Sequence, residues 1–217
     1  MIPSNPATEE FVVHRKKAQV RTEILAVRRS VTPQTRDAEA AVLATHLPAF
    51  VDPGQTVCAY VPVGTEPGSL ELVEALARRD VIVLLPVARQ GADDTPLPLQ
   101  WGRYRADALV EAPYGLLEPP QPWLPDEAVA NAVVVLVPAL AVDRQGVRLG
   151  RGAGFYDRTL PLADPAALLV AVVRDDELVD HLPSEPHDVR MTHALTPSGG
   201  LVPLVRESLG PPGGSST

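Results

Sequence analysis

The stretch from residue 143 to residue 158 holds the densest group of residues that could bind a phosphorylated ligand. Its candidates are three glycines, two arginines and one carboxylate: Gly150, Gly152, Gly154, Arg148, Arg151 and Asp157. Glycines lack side chains, so backbone N–H groups can approach an anion closely, and guanidinium groups donate charged hydrogen bonds to phosphate oxygens. A carboxylate beside them can bind Mg²⁺, which usually accompanies a nucleotide. The stretch therefore predicts a phosphate site with a nearby magnesium ligand.

The spacing of these glycines matches neither of the common nucleotide-binding motifs. The dinucleotide motif GxGxxG would place its third glycine one residue after Gly154, and a P-loop would continue with Gly-Lys-Ser/Thr. Glycine spacing alone fits a flexible turn flanked by solvated arginines equally well. The surrounding residues must therefore decide between the two interpretations.

Three further candidates lie outside this stretch. Lys17 and Arg21 are four residues apart and share one face of a predicted helix, although neighbouring basic residues also fit a solvated basic face. Glu66 follows a predicted buried strand, where a carboxylate could hydrogen-bond a ligand. Alternatively, Glu66 is an acid that precedes the helix starting at Ser69.

Alternating helices and strands must position these residues. Helices are predicted over residues 9–30, from the Thr32-Pro33 cap to about Leu47, and from Ser69 to about Arg79. Short apolar runs rich in β-branched residues predict strands at 56–63, 81–85, 133–137 and 168–173. The alternation predicts an α/β fold with three α/β/α layers and a mostly parallel central sheet. Ligands bind at the carboxyl ends of such strands, so the loops after these four strands are expected to carry the chemistry.

The whole string from 146 to 157 is much more specific than its glycines. It reads Gly-Val-Arg-Leu-Gly-Arg-Gly-Ala-Gly-Phe-Tyr-Asp and closely resembles the signature of the 5-formyltetrahydrofolate cyclo-ligase family. Further motifs resemble those of the family in the same order, at residues 17–21, 60–66, 113–119, 137–143 and 187–188. The resemblance spans residues 14–197, with departures at Ala139, Val142 and Ala153 that remove no proposed catalytic group.

The resemblance implies an enzyme that uses ATP and Mg²⁺ to convert 5-formyltetrahydrofolate into 5,10-methenyltetrahydrofolate. Its nucleotide contacts would be Lys17, Arg21, Arg148, Leu149, Gly150, Arg151, Gly152, Ala153, Gly154, Phe155 and Tyr156. Its folate contacts would be Val61, Glu66 and Tyr156. Arg148 and Tyr156 would take part in catalysis, and Asp157 and Asp188 would bind the metal, with His187 orienting Asp188.

Two other classes of protein stay open. A relative of sugar-phosphate isomerases or CoA-transferases would have a similar three-layer sheet and would use the glycines for a substrate phosphate without ATP. The two carboxylates Asp157 and Asp188 argue against it, because metal bridging suits a nucleotide. A non-catalytic folate-binding protein is the other class, but it would have no need for groups that hold a γ-phosphate.

Composition excludes several partners and locations. A formal net charge of −8 over 217 residues repels nucleic acid and anionic membranes. The single cysteine, Cys58, excludes an intramolecular disulfide and is expected to be a buried thiol. Residues 1–10 are polar, unlike a signal peptide, and no apolar run is long enough to span a bilayer. We therefore predict a cytoplasmic monomer with one domain over 1–209 and a disordered tail at 210–217.

Overall fold

The computed structural model describes residues 17–112, 115–185 and 188–205. The predicted helical residues 9–16, the motif residues 113 and 114, His187 and the predicted tail lie outside these ranges.

Four α-helices are present in the described ranges. They are α1 (Lys17–Ser30), α2 (Pro33–His46), α3 (Leu70–Ala77) and α4 (Phe155–Thr159). The predicted start of α2 is confirmed, because the Thr32 hydroxyl accepts a hydrogen bond from the Thr35 amide at 3.2 Å and proline occupies the first turn. None of the helices in this part of the chain is long and apolar enough to cross a bilayer.

Twelve strands form one large sheet and two small ones among the described residues. Their bounds are β1 Thr56–Cys58, β2 Ile82–Val87, β3 Gln100–Arg103, β4 Val110–Ala112, β5 Leu116–Glu118, β6 Val134–Pro138, β7 Ala141–Asp143, β8 Arg148–Leu149, β9 Leu168–Val172, β10 Leu178–Val179, β11 His193–Thr196 and β12 Gly200–Pro203. The large sheet has the order β12-β11-β9-β6-β1-β2-β3. Its five inner strands are parallel, and the two edge strands are antiparallel to their neighbours. The predicted α/β fold with a mostly parallel sheet is confirmed.

The first strand is shorter than its apolar run predicted. It ends at Cys58, although the Ala59 amide still donates to the Leu84 carbonyl at 2.9 Å. Pro62 has no N–H group for a ladder, and Gly64 has a φ of 64° that turns the chain. Residues 59–68 therefore form a loop, called the β1 loop below, at the carboxyl end of β1.

Alternating side chains of the inner strands fill two cores on opposite faces of the sheet. Val134 and Leu136 of β6 join the core beneath α2 and α3. Val135 and Val137 of the same strand join the core that includes Leu160 and residues of a 3-10 helix at Asp126–Asn131. The three layers are thus present, but the second outer layer consists of short helical segments rather than long helices.

Helix α1 packs on a small sheet of order β10-β7-β8 rather than on the large one. Its Val20 is buried in a third core with Leu149 of β8, and Ile24 and Leu25 pack against that core. Because β8 leads directly into the glycines at 150–154, this packing places α1 beside them.

Candidate active site

The glycine loop, residues 150–154, connects β8 to α4. Gly152 and Gly154 have φ angles of 100° and 82°, which disfavour any residue with a side chain. Gly150 has no such φ, but a β-carbon there would lie 2.6 Å from Arg148 Nη1, so the end of that arginine side chain would have to move. The backbone conformation therefore favours glycine at two of the three positions, and at the third glycine leaves room for Arg148.

Helix α1 brings its two candidate residues to this part of the molecule. The Arg21 Nε atom donates to the Gly150 carbonyl at 2.8 Å, and a β-carbon on Gly152 would lie 3.5 Å from the Arg21 Cζ atom. Lys17 Nζ donates to the Asp188 carboxylate at 2.9 Å and to Glu185 at 3.2 Å. The spacing of four residues thus directs Lys17 towards Glu185 and Asp188 and Arg21 into the glycine loop.

The acidic partners of Lys17 keep its charge. Burial alone would lower the pKa of Lys17, but hydrogen bonds to Asp188 and Glu185, together with their negative charges, raise it above its usual value. Lys17 is therefore a cation at neutral pH.

Arg148 forms an ion pair with Asp157, the predicted metal ligand. The Arg148 Nη2 atom donates to Asp157 Oδ1 at 2.6 Å, and the guanidinium carbon lies 5.7 Å from the centre of the Tyr156 ring. The two partners differ in solvent access, because the Arg148 side chain is 7% exposed and the Asp157 side chain is 39% exposed. The buried Arg148 Nε atom has no hydrogen-bond partner among the described residues. Asp157 can therefore meet an incoming ligand from solvent, and Arg148 still has a donor to offer.

Arg151 joins the glycine loop to the β1 loop. Its Nε atom lies 2.9 Å from Glu66 Oε1, and its Nη2 atom donates to the Val63 carbonyl at 3.1 Å. The other Glu66 oxygen accepts from the Val63 amide at 2.9 Å. The structure thus brings Glu66 to the glycine loop, and it places Val61, another predicted folate contact, half-buried on the same β1 loop.

The aromatic residues after the glycine loop both pack against the core, although only Tyr156 carries a polar group. Phe155 and Tyr156 are half-buried against the same apolar cluster. The Tyr156 hydroxyl is buried and has no hydrogen-bond partner in the described chain. Burial, reinforced by the charge of Glu66, raises the pKa of Tyr156, so its hydroxyl stays protonated at neutral pH. A buried hydroxyl without a partner is uncommon and fits a donor to a ligand atom.

The predicted metal ligands do not form a metal site by themselves. Across the described residues, no three Asp, Glu, His or Cys side chains are grouped so that they could hold a metal by themselves. Asp157 and Asp188 each pair with a basic residue, Arg148 and Lys17. Magnesium is commonly bound by one or two carboxylates together with phosphate oxygens and water. Asp157 and Asp188 could therefore hold Mg²⁺ only together with other ligands, such as phosphate oxygens and water.

Two neighbours of the glycine loop were missed by sequence reasoning. Arg158 Nη1 donates to the Gly154 carbonyl at 3.2 Å, and the Pro96 side chain lies 3.7 Å from a β-carbon built on Gly154. The spacing of four residues from Gly154 could have identified Arg158, since a helix starts at that glycine. Nothing in the sequence links Pro96 to residue 154, because Pro96 lies in the connection between β2 and β3 and only the fold brings it to the glycine loop.

Comparison with known proteins identifies the family of this chain. The model of the 5-formyltetrahydrofolate cyclo-ligase family matches residues 13–197. The chain belongs to this family. The predicted family resemblance and the assignment to an enzyme class are therefore confirmed.

Relatives of the cyclo-ligase family cover most of the chain. It is 59% identical over 190 residues to a 5-formyltetrahydrofolate cyclo-ligase of Mycolicibacterium smegmatis, covering 88% of this chain and 98% of the relative. It is 30% identical over 192 residues to the Haemophilus influenzae cyclo-ligase, covering 83% of this chain and 97% of the relative.

Two solved structures share the fold at lower identity. The Aquifex aeolicus 5,10-methenyltetrahydrofolate synthetase superposes with a TM-score of 0.69 at 20% identity, covering 91% of this chain and 97% of the other. The Mycoplasma pneumoniae 5,10-methenyltetrahydrofolate synthetase gives a TM-score of 0.62 at 18% identity, covering 82% and 96%. At these identities the superpositions support the cyclo-ligase fold.

Proposed function

We propose that this cyclo-ligase family member converts 5-formyltetrahydrofolate into 5,10-methenyltetrahydrofolate, with ATP converted to ADP and phosphate and with a requirement for Mg²⁺. Family membership supports the folate chemistry. The observation that carries the nucleotide part is the meeting of three segments around the glycine loop. Arg21 of α1 contacts Gly150, Arg151 contacts Glu66 of the β1 loop, and Arg148 contacts Asp157.

The reaction needs positioning and charge neutralisation more than a protein nucleophile. A formamide is a poor electrophile, and its oxygen is a poor leaving group. Transfer of the ATP γ-phosphoryl group to the formyl oxygen makes that oxygen part of a phosphate group, which is a good leaving group. N10 of the folate then forms a bond to the formyl carbon and loses its proton, and the C–O bond to phosphate breaks. The Cys58 thiol is buried and its pKa is raised by burial, which fits a reaction without a thiolate.

The side chains divide this work between the two substrates. Amide groups of the glycine loop, with Lys17, Arg21 and Arg148, would hold the phosphates. Glu66, beside the glycine loop, would hold the folate ring system. The raised pKa of Tyr156 keeps its hydroxyl protonated. Tyr156 would therefore donate a hydrogen bond to a substrate atom where ATP and the folate meet, rather than act as a base.

Asp157 and Asp188 would hold Mg²⁺, which when bound would neutralise charge on the transferring phosphoryl group. In the protein by itself, Arg148 and Lys17 neutralise these carboxylates. Phosphate oxygens can replace the carboxylates as partners of the two basic residues. That exchange would release carboxylate oxygens at the moment when the nucleotide binds.

A direct absorbance assay tests the proposal. The purified protein is mixed with 5-formyltetrahydrofolate, ATP and Mg²⁺, and the near-ultraviolet absorbance of the methenyl product is followed. We expect product only when all three are present, and none with a non-hydrolysable ATP analogue or after chelation of Mg²⁺. Absence of product from protein that still binds 5-formyltetrahydrofolate would favour the folate-binding alternative.

The proposal includes a monomer acting in the cytoplasm. Gel filtration with light scattering should give a mass of 23.1 kDa at assay concentrations. A dimer mass that persists on dilution would contradict the monomer.

A further inference from the structure

We infer that Arg158 is a further phosphate-binding residue, which contacts the terminal phosphates of ATP from the α4 side of the glycine loop. The inference rests on the proposed function, because it assumes that the loop binds ATP. It concerns a residue for which the family signature gave no role.

The position of Arg158 is set by α4 and by the last glycine of the loop. Its Nη1 atom donates to the Gly154 carbonyl at 3.2 Å and would lie 2.8 Å from a β-carbon built on Gly154. Pro96 is the other side chain within 4 Å of that β-carbon. The guanidinium group therefore lies directly against the loop, and the exposed side chain can also reach solvent.

Among the described residues, no carboxylate neutralises the charge of Arg158. Three other basic residues of the site are paired with acids, as Lys17 with Asp188, Arg148 with Asp157 and Arg151 with Glu66. Within the described ranges, no carboxylate lies within 4.0 Å of the guanidinium group of Arg158 or of Arg21. These two arginines can therefore accept a phosphate without first losing an ion pair.

These two arginines, Arg21 and Arg158, contact opposite ends of the glycine loop. Arg21 bonds the carbonyl of Gly150, the first glycine, and Arg158 bonds the carbonyl of Gly154, the last. A chain of phosphates lying along the loop would meet a guanidinium group at each end. Because the protein has a net charge of −8, such unneutralised positive charge is what an anionic ligand needs for its first contact.

A simpler interpretation is that Arg158 only bonds a carbonyl of its own helix. An arginine in the last turn can stabilise a short helix in this way. Glutamine can still donate to the Gly154 carbonyl but has no charge, so Arg158→Gln separates the two roles. Arg158→Lys restores the charge, and Arg78→Gln removes another exposed charge, at the end of α3 and far from the loop in the chain.

Titration calorimetry with MgATP, and separately with tripolyphosphate, measures the effect in the absence of folate. We expect Arg158→Gln to weaken both ligands about tenfold, Arg158→Lys to recover part of the loss, and Arg78→Gln to bind like wild type. The KM for 5-formyltetrahydrofolate and the melting temperature should not change.

Three outcomes would overturn the inference. Wild-type affinity for MgATP in Arg158→Gln would remove Arg158 from the phosphate site while leaving the proposed function intact. A loss that appears equally in the folate KM, with a lower melting temperature, would assign Arg158 to the stability of α4. Wild-type protein that neither binds ATP nor forms product would overturn both this inference and the proposed function.

Discussion

Two arginine–carboxylate pairs in this molecule have the same chemistry but different surroundings. Arg28 and Glu177 are 1% and 5% exposed and share two hydrogen bonds, of 2.6 and 2.7 Å. Arg148 and Asp157 are 7% and 39% exposed and share one hydrogen bond, of 2.6 Å. Both side chains of the first pair are buried, whereas in the second pair Asp157 is accessible to solvent.

The buried pair holds the helix that carries part of the site. Arg28 Nη2 also donates to the Ala139 carbonyl after β6, and Glu177 follows β9. Arg28 therefore fastens α1 to the ends of two central strands, and the same helix carries Lys17 and Arg21 to the glycine loop. Breaking a buried pair leaves an uncompensated charge, so such a contact is suited to fixing geometry.

The open pair is suited to exchange. Asp157 keeps part of its hydration, so it can exchange Arg148 for another partner without becoming a bare charge in the interior, whereas the buried Arg148 needs a new anion in its place. The buried pair is thus suited to maintaining the shape of the site, and the open pair is suited to taking part in its chemistry. Variants of each pair can test that division.

The largest effect is expected from Glu177→Ala. It leaves the Arg28 guanidinium buried without its counter-charge, so the free energy of unfolding should fall by about 3–5 kcal/mol. Urea denaturation followed by circular dichroism measures the change. The control is Asp180→Ala, which removes the partner of Arg144 from a pair with 62% and 98% exposed side chains and should have no measurable effect. Equal stability of the two variants would show that burial does not distinguish the pairs.

A smaller effect is expected from Asp157→Asn, which should raise the activation free energy of turnover without changing the free energy of unfolding. Asparagine can still accept the hydrogen bond from Arg148, but it offers no anionic oxygen to Mg²⁺. We expect kcat to fall about 100-fold or more, while the free energy of unfolding and the affinity for 5-formyltetrahydrofolate stay near wild type. The methenyl absorbance assay, urea denaturation and a folate titration measure the three quantities. Wild-type turnover would remove the metal assignment from Asp157, and a large loss of stability would make this pair structural as well.

The central fold could be predicted from sequence because long apolar runs identify inner strands. The runs at 133–137 and 168–173 became β6 and β9 within one residue at each end. The sheet that supports α1 was not predicted, since β8 and β10 are two residues long and leave no periodic pattern. Short strands of this kind depend on the surrounding tertiary structure rather than on local propensity.

The sequence indicated candidate residues for the site but not the pairings that the structure gives them. Arg148 and Asp157 share one motif, but Lys17 and Asp188 are 171 residues apart, and no local rule connects them. Arg28 is harder still, because a basic residue on a basic helix predicts a solvated face. Its burial depends on Glu177, which is 149 residues away in the chain. Sequence spacing does not predict contacts between residues that are distant in the chain and are brought together by the fold.

The smallest effects should come from substitutions of two tyrosines, one whose hydroxyl has a hydrogen-bond partner in the protein and one whose hydroxyl has none among the described residues. The Tyr60 hydroxyl donates to the Pro67 carbonyl at 2.8 Å, whereas the Tyr156 hydroxyl has no partner among the described residues. Tyr60→Phe should lower the free energy of unfolding by about 1 kcal/mol, because it leaves a buried carbonyl without its donor. Tyr156→Phe should leave stability unchanged or slightly higher, and it should slow turnover if a substrate atom accepts that hydrogen bond.

Urea denaturation and kcat, measured on both tyrosine variants, distinguish the two roles. The two changes delete the same atom from two half-buried or buried rings, so each variant is the control for the other. A loss of stability in Tyr156→Phe with full activity would mean that its hydroxyl is satisfied within the protein. That outcome would contradict the role proposed for Tyr156, because its hydroxyl would not be available to donate a hydrogen bond to a substrate.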